Sequence, residues 1–432
     1  MSTISYPKVE KQPIQKRTAI IRSLLKGMVW VIGSLLILLS TIPVILLFIA
    51  TAVPLYSSIV LAIVDISLLV ALFWANRTPL LVSVIVLGIV LASVLAVWLS
   101  QVYATTPPII DAQGNIVPGS IATLEEVQLG DSKQWVSIRG KDVHNPVLLF
   151  LAGGPGGSQL TTERHTLSKL EDYFVVVNWE QPGAGKSFNA VDRSTLTPER
   201  YIEDGHELVL HLRERFGVDK VYVVGESWGS ALGIMLVQRY PDLFHAFIGT
   251  AQMVDFLETD LICYDFALNW AEERGDMKKL AQLREQGPPP YYGEDVAWKQ
   301  VAYLIDTYAY MNQNPAIISG FNTPRDLSSP EYGLLDKVNW VRGPLDTLGI
   351  VYPHLWDIDF REQAPHLDVP VYFLIGRHDV NAPPELVEEY YELLDAPHKE
   401  LIWFERSGHS PWIGESDKFV DVIVNRVLVQ TQ

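Results

Sequence analysis

The 432-residue chain has one cysteine, Cys263, so no disulfide can form within it and its redox compartment stays open. That suits a bacterial surface protein built without disulfides better than a eukaryotic secreted one. Charge is missing from one long stretch: between Met28 and Gln101 the only charged residues are Asp65 and Arg77, which excludes an ordinary water-facing surface there. Beyond that stretch positive charge is in short supply. Met1–Gly27 carries six basic residues and one acidic one, so the net −17 of the whole chain becomes −22 after Val102. Such a field repels nucleic acid, which is excluded as a partner, and anionic lipid headgroups. Phosphate-binding loops are lacking as well. "LAGGPGG" and "NWEQPGAGKSF" are glycine-rich, the second with Lys186, but neither has the spacing of G-x-G-x-x-G or of a P-loop. Neither a cofactor nor a metal site is expected, and no internal repeat is visible.

What is present at the front is membrane-like. Spans of about 28–50, 56–75 and 79–102 each reach the roughly 20 residues that cross a hydrocarbon core. A signal peptide would be shorter and would not recur three times. Lys8, Lys11, Lys16, Arg17, Arg22 and Lys26 precede the first span and Arg77 lies between the second and third. The positive-inside rule then predicts a multi-pass protein of the cell membrane, with residues 1–27 cytoplasmic and everything after Val102 extracytoplasmic. Asp65, inside the second span, reads as a relay, a helix-packing hydrogen-bonder or a snorkelling residue.

Residues 103–126 read as a linker. "VQL" and "QWVSIRG" then alternate around a turn at Gly130 and Asp131, as in an antiparallel hairpin. "NPVLLFLAG", "YFVVVNWE", "KVYVVG", "AFIGTAQ", "PVYFLIG" and "KELIWFE" are near-continuous apolar runs, the mark of parallel strands buried on both faces. Helix-like segments separate them. One, "LTPERYIEDGHELVLHLRERFG", has Thr197 as N-cap, Pro198 at the first helical position, Gly217 at its end and a core face through Tyr201, Leu208, Leu212 and Phe216. The pattern predicts a doubly wound, mostly parallel α/β sheet from 127–251 and 368–432. Residues 252–367, too long for a loop and helix-prone, read as an inserted helical lid.

"VYVVGESWGSALG", Val221 to Gly233, combines strand, sharp turn and helix around Ser227. The G-x-S-x-G spacing is weak alone, because Ser227 needs a base, an orienting acid and an oxyanion hole at the carboxyl ends of strands. Asp379 follows the strand in "FLIGRHDVNAP"; it is either the orienting acid or a turn residue before the next helix. His409, in "FERSGHSPW", follows the last strand and completes the order Ser, Asp, His. In "LAGGPGG" Pro155 has no N–H, so the oxyanion donor is Gly154 or Gly153, working with the amide of Trp228.

With those residues in place, the chain from about Val127 to its end resembles the α/β-hydrolase superfamily, and within it the prolyl aminopeptidase (proline iminopeptidase) family of serine peptidases. The resemblance rests on Gly153-Gly154-Pro155-Gly156, on Gln181 with Gly183, Gly185 and Ser187, on Gly225 through Ser230, and on Asp379 and His409. It implies a serine hydrolase acting through an acyl-enzyme on short peptides or aminoacyl amides. The chain departs from the family at Ala152, where histidine is usual, and at Glu180-Gln181-Pro182-Gly183, where Asp-Gln-Arg-Gly is usual. The departures bear on proline specificity. Family lids bind the substrate amine through glutamates, for which Glu258, Glu272 and Glu273 are candidates here, against a solvated helix face as the plainer reading. Lid charge agrees, with eighteen acidic and nine basic residues from Asp255 to Leu367. Trp270, Trp298, Trp340 and Trp356 read as an apolar slot or as lid packing. An esterase or lipase-like hydrolase with the same triad and a more apolar lid is the alternative, and a silent binding protein of this fold the third reading. The expected partners are a small peptide or ester substrate and the lipid bilayer.

Overall fold

The computed structural model describes residues 12–74, 78–318 and 320–431. It divides into two compact units, with the boundary in the chain between Tyr103 and Ala104. Lys8, Lys11 and Arg77, on which the orientation argument leans, lie outside the described residues.

The first unit contains three helices, α1 (Gln12–Ala50), α2 (Leu55–Trp74) and α3 (Pro79–Val102). Their apolar windows, Val31–Ala50, Leu55–Leu72 and Pro79–Val102, have mean hydropathies of 2.7, 2.3 and 3.0, long and apolar enough to cross a membrane. A helix is what such a segment must be in lipid, where no water satisfies its backbone. Helix α1 begins at Gln12, well before the apolar run at Met28, because its Gln-, Lys-, Arg- and Ala-containing start favours helix without being apolar. Within the unit the Ser93 hydroxyl donates to the Ser40 carbonyl. Asp65 is buried, and its Oδ1 meets no hydrogen-bond partner among the described residues. It does not snorkel.

The second unit is built on one eight-stranded sheet. Its strands are β1 (Ile121–Leu129), β2 (Ser132–Gly140), β3 (Val147–Leu151), β4 (Val175–Trp179), β5 (Val221–Glu226), β6 (Phe244–Thr250), β7 (Val371–Gly376) and β8 (Lys399–Phe404). They lie in the order β1-β2-β4-β3-β5-β6-β7-β8. Only the β1–β2 and β2–β4 pairs are antiparallel; the rest of the sheet is parallel. Strand β1 corrects the linker expectation, since it begins at Ile121 and pairs with β2 over nine positions, Ile121↔Gly140 to Leu129↔Ser132. Glu125 and Glu126 on this half-exposed edge break the apolar alternation that would have marked its start.

The continuous apolar runs work by period two. In β3 and β4, Val147, Leu149, Leu151, Val175 and Val177 join the core on one face of the sheet, while Leu148, Phe150 and Val176 join the core on the other. Each full burial of a Val, Leu or Phe contributes about 1.5–3 kcal/mol, so these strands are fixed from both sides. Flanking helices α4 (Leu160–Thr166), α5 (Pro198–Phe216) and α6 (Trp228–Arg239) follow β3, β4 and β5. Helix α5 starts and stops as its sequence asks: the Arg200 amide donates to Thr197 Oγ1 at 3.3 Å, and Gly217 ends it with φ 64°. Between β6 and β7 come the lid helices α7 (Phe256–Glu273), α8 (Met277–Gln286), α9 (Val296–Gln313), α10 (Thr323–Leu327), α11 (Leu334–Val351) and α12 (Phe360–Gln363).

Candidate active site

Strand β5 ends at Glu226 and helix α6 begins at Trp228, which leaves Ser227 alone on the reversal with φ 54° and ψ −121°. A non-glycine residue held there stores of order 1–3 kcal/mol. The flanking glycines are a packing requirement. A Cβ on Gly225 would collide with the Gly229 carbonyl oxygen, and one on Gly229 with the Leu151 carbonyl oxygen. Side chains there would push the elbow away from β3.

His409 and Asp379 meet, from the loops after β8 and β7. The imidazole Nδ1 lies 2.9 Å and 3.1 Å from the two Asp379 carboxylate oxygens, and both side chains are buried. The carboxylate also accepts from the Asn381 and Ala382 amides at 2.8 Å and 2.9 Å, which fixes its orientation. Burial alone disfavours the imidazolium, but Asp379 and, further off, Glu226 outweigh it and hold His409 above its ordinary pKa. Its Nε2 accepts from the Asn381 side-chain amide at 3.1 Å, and the same amide donates to the Tyr308 hydroxyl at 3.1 Å. Tyr308, from α9, packs edge-on to the imidazole at 5.7 Å. Ser227, Asn381, Tyr308 and His409 all line one cavity.

Of the two loop amides named for an oxyanion, Gly153 is committed elsewhere: it donates to Gln159 Oε1 at 3.1 Å. Gly154 and Trp228 remain as the pair with backbone N–H groups to offer. Gln181 braces them, donating from Nε2 to the Ala152 carbonyl at 3.1 Å and accepting at Oε1 from the Trp228 indole at 2.9 Å. The unusual Glu180 is buried and accepts from Ser158, Tyr332 and the Lys186 amide at 3.1, 2.9 and 2.9 Å. Lys186 itself pairs with Asp336 at 2.8 Å, both nearly buried, and so ties this loop to α11.

The cavity over Ser227 measures about 510 Å³. Its lid wall is mostly apolar, with Val301, Leu304, Ile305, Pro344 and Leu348 among its residues. Two carboxylates also line it. Asp260 of α7 is buried and accepts from Tyr303 at 2.6 Å and Gln300 at 3.3 Å. Burial, opposed by hydrogen bonds from Tyr303, Tyr352 and Gln300, pushes its pKa up to about 6. Glu226, next to the serine, accepts from Ser410 at 2.7 Å, Trp412 at 3.0 Å and the Gln159 amide. Among the described residues neither carboxylate has a basic side chain in ion-pair contact.

The three lid glutamates named from the sequence are not brought to this cavity. Glu258 pairs with Arg361 at 2.6 Å, in a cluster with Asp255, Asp359 and Glu389, and Glu272 and Glu273 are exposed at the far end of α7. Asp260 was the findable one. The buried stripe of α7 runs Phe256, Asp260, Cys263, Tyr264, Ala267 and Ala271 at helical spacing, and Asp260 lies on it while the glutamates fall off it. Of the four lid tryptophans Trp340 lines the cavity, donating to the Ser158 carbonyl at 3.0 Å. Trp356 is buried and bonded to the Tyr291 carbonyl, which is packing.

A mostly parallel sheet in this order, an elbow serine after its central strand and a helical lid before β7 define an α/β hydrolase. A family model described as the alpha/beta hydrolase fold matches residues 146–286. The probable aminopeptidase YbaC of Bacillus subtilis (strain 168) is 32% identical over 320 residues, 70% of this chain and 96% of YbaC. This chain belongs to the α/β-hydrolase family. It is also similar to the proline iminopeptidase of Saccharolobus solfataricus, at 25% identity over 65% of this chain and 84% of that protein. The crystal structure of the Mycobacterium smegmatis proline iminopeptidase shares the fold, with TM-score 0.51 at 18% identity, covering 71% of this chain and 98% of that one.

Proposed function

We propose that the chain is a membrane-anchored serine aminopeptidase that acts on short peptides or aminoacyl amides with a free N-terminal amine. The observation that carries this reading is the pair of buried carboxylates, Asp260 and Glu226, lining the cavity of Ser227 without a cationic partner. A buried negative charge is costly unless something positive meets it, and a substrate ammonium is the group that enters and leaves such a site. The aminopeptidase names among the relatives point the same way.

In this mechanism His409 Nε2, once Asn381 releases it, takes the Ser227 hydroxyl proton as Oγ attacks the carbonyl carbon. The developing oxyanion is met by the Gly154 and Trp228 amides. Collapse breaks the C–N bond, and the imidazolium passes its proton to the departing amine. Water, deprotonated by the same Nε2, then hydrolyses the acyl-Ser227 ester and restores the hydroxyl. Asp379 holds the tautomer throughout.

The apolar lid wall favours a second reading, an esterase using the same residues. A free-amine aminoacyl naphthylamide, its N-acetylated twin and a p-nitrophenyl ester of matched size separate the two. Preference for the free amine supports the peptidase; equal cleavage of the blocked compound, or turnover of esters alone, overturns it. The three apolar helices support the anchor, and the basic residues ahead of the first span, with Arg77, support an N-terminus inside and residues after Val102 outside. Protease added to intact cells should digest the second unit; digestion only after lysis would reverse the topology.

A further inference from the structure

Six apolar lid residues stand between 48% and 64% exposed: Trp298 and Ile305 of α9, Phe321 ahead of α10, and Leu335, Val338 and Val341 of α11. They form one surface. Trp298 and Ile305 are seven apart on one helix face, Leu335, Val338 and Val341 follow one another at intervals of three, and Ile305, Phe321 and Val341 line the same cavity. A residue that both lines a cavity and is half exposed stands at its mouth, so the opening over Ser227 is rimmed with hydrocarbon. In a unit of net charge −22, all three carboxylates of α9 and α11 are ion-paired: Asp306 with Lys279 and Arg274, Asp336 with Lys186, and Asp346 with Arg193 and Arg342. The two helices thus add no unpaired carboxylate of their own to the rim, and the exposed Glu294 and Asp295 just ahead of α9 stand at its Trp298 edge.

Covalent connection supplies the occupant. Thr105 donates its amide to the Pro330 carbonyl at 3.1 Å, and Thr106 its hydroxyl to Glu331 at 3.1 Å, directly before α11. Thr105 follows the end of α3 at Val102 by three residues, a reach of at most about 11 Å. The start of α11 is thus leashed within one short step of a segment apolar enough to span a membrane.

We propose that this apolar rim rests on the lipid bilayer and that the cavity mouth opens onto it, so that substrates are amphiphiles with an apolar chain taken from the membrane surface. The proposal rests on the membrane-anchored reading. Exposed apolar patches of this kind, rimmed by polar residues, are how proteins engage lipid. It adds to the amine site a reason for the apolar lid wall, which would hold the chain while Asp260 and Glu226 hold the charged end.

Cys263 is buried, so a cysteine placed at Val338 in the full-length chain can be labelled selectively with an environment-sensitive fluorophore. Asp219, exposed in the loop before β5 and therefore at the opposite end of the strands from the lid, supplies the control. Both labelled variants, Val338→Cys and Asp219→Cys, are reconstituted into phosphatidylcholine vesicles and floated on a density gradient. The expected result is several-fold weaker iodide quenching at position 338 than at 219, with strong quenching at 338 alone by lipid carrying a nitroxide near its headgroup. Equal iodide access at both positions, in protein that floats, overturns the docking and leaves the anchor standing. Shielding from iodide without nitroxide quenching assigns the face to a second copy of the chain and also overturns it. Failure to float removes the anchor and the docking together. As a functional arm, Leu335→Glu with Val338→Glu should lower turnover of a long-chain aminoacyl amide in vesicles several-fold and leave a soluble short-chain one unchanged. Equal loss on both substrates counts against the proposal.

Discussion

The two walls of the cavity are made differently. The sheet wall is polar and closed on itself: Gly153, Gln159, Glu226, Ser410 and Trp412 form one hydrogen-bonded chain, and Ala152, Gln181 and Trp228 another. The lid wall is aliphatic and aromatic, with Asp260 as its carboxylate. Reacting groups need placement to a fraction of an ångström, which bonded loops on a rigid sheet provide. Recognition of an apolar group needs area and tolerates slack. In the proposed function chemistry belongs to the sheet and selection mainly to the lid, with Glu226 shared between them, and each prediction presses on that division.

The largest effect is expected at the elbow. Ser227→Ala should lower kcat by about a millionfold, to the level of a site left with binding and oxyanion donors only, while thermal stability stays within error. Persisting turnover, or persisting fluorophosphonate labelling, would take the nucleophile away from Ser227. Next comes the lid. Asp260→Asn should raise KM for a free-amine substrate on the order of a hundredfold, the cost of removing one member of a buried charge pair, and leave the N-acetylated twin and the ester nearly unchanged. Because burial holds Asp260 near pKa 6, its charge is present above that pH and lost below. KM for the free amine should therefore climb as pH falls through about 6 in the parent chain and stay flat in Asp260→Asn. An equal loss on all three substrates would erase the division of labour.

Gln181→Leu tests the brace. It leaves the buried Trp228 indole without an acceptor, which costs about 1–3 kcal/mol, and should lower Tm and cut kcat about tenfold without raising KM. The smallest effect is a shift in a profile, read on the N-acetylated substrate or the ester so that the part of Glu226 in holding an amine does not enter. Glu226 helps hold the His409 pKa up, and the base works only when neutral, so Glu226→Gln should move the acid limb of kcat/KM to lower pH. A shift toward alkaline pH would contradict the electrostatic reading of this pair.

The same division governs what could be read from sequence. The strands were legible because burial on both faces leaves an unbroken apolar run. The elbow was legible because Gly225 and Gly229 answer to collisions with atoms a few residues or one strand away. Asp379 and His409 followed from chain order along the sheet. Contacts across long separations left no such trace. Nothing near Glu226 in the chain announces its bonds to Gln159 and Trp412, nor does Gln181 announce Trp228. The family resemblance asks for a glutamate on the first lid helices and so points to Glu258, whereas the buried stripe of α7 carries Asp260. Strand β1 lost its first six residues to the linker for a related reason: an edge strand with Glu125 and Glu126 is held by its partner's backbone rather than by its own side chains.

Asn381 carries a last consequence. At rest its amide hydrogen occupies the one lone pair on His409 that could accept the Ser227 proton, and its other hydrogen is tied to Tyr308 on the lid. If Ser227 is the nucleophile proposed, it is unarmed until that small side chain turns aside. Under the proposed mechanism the opening event of each cycle is a change of partner at Nε2 rather than an attack on substrate, and α9 of the lid has a hand on it through the Tyr308 phenol.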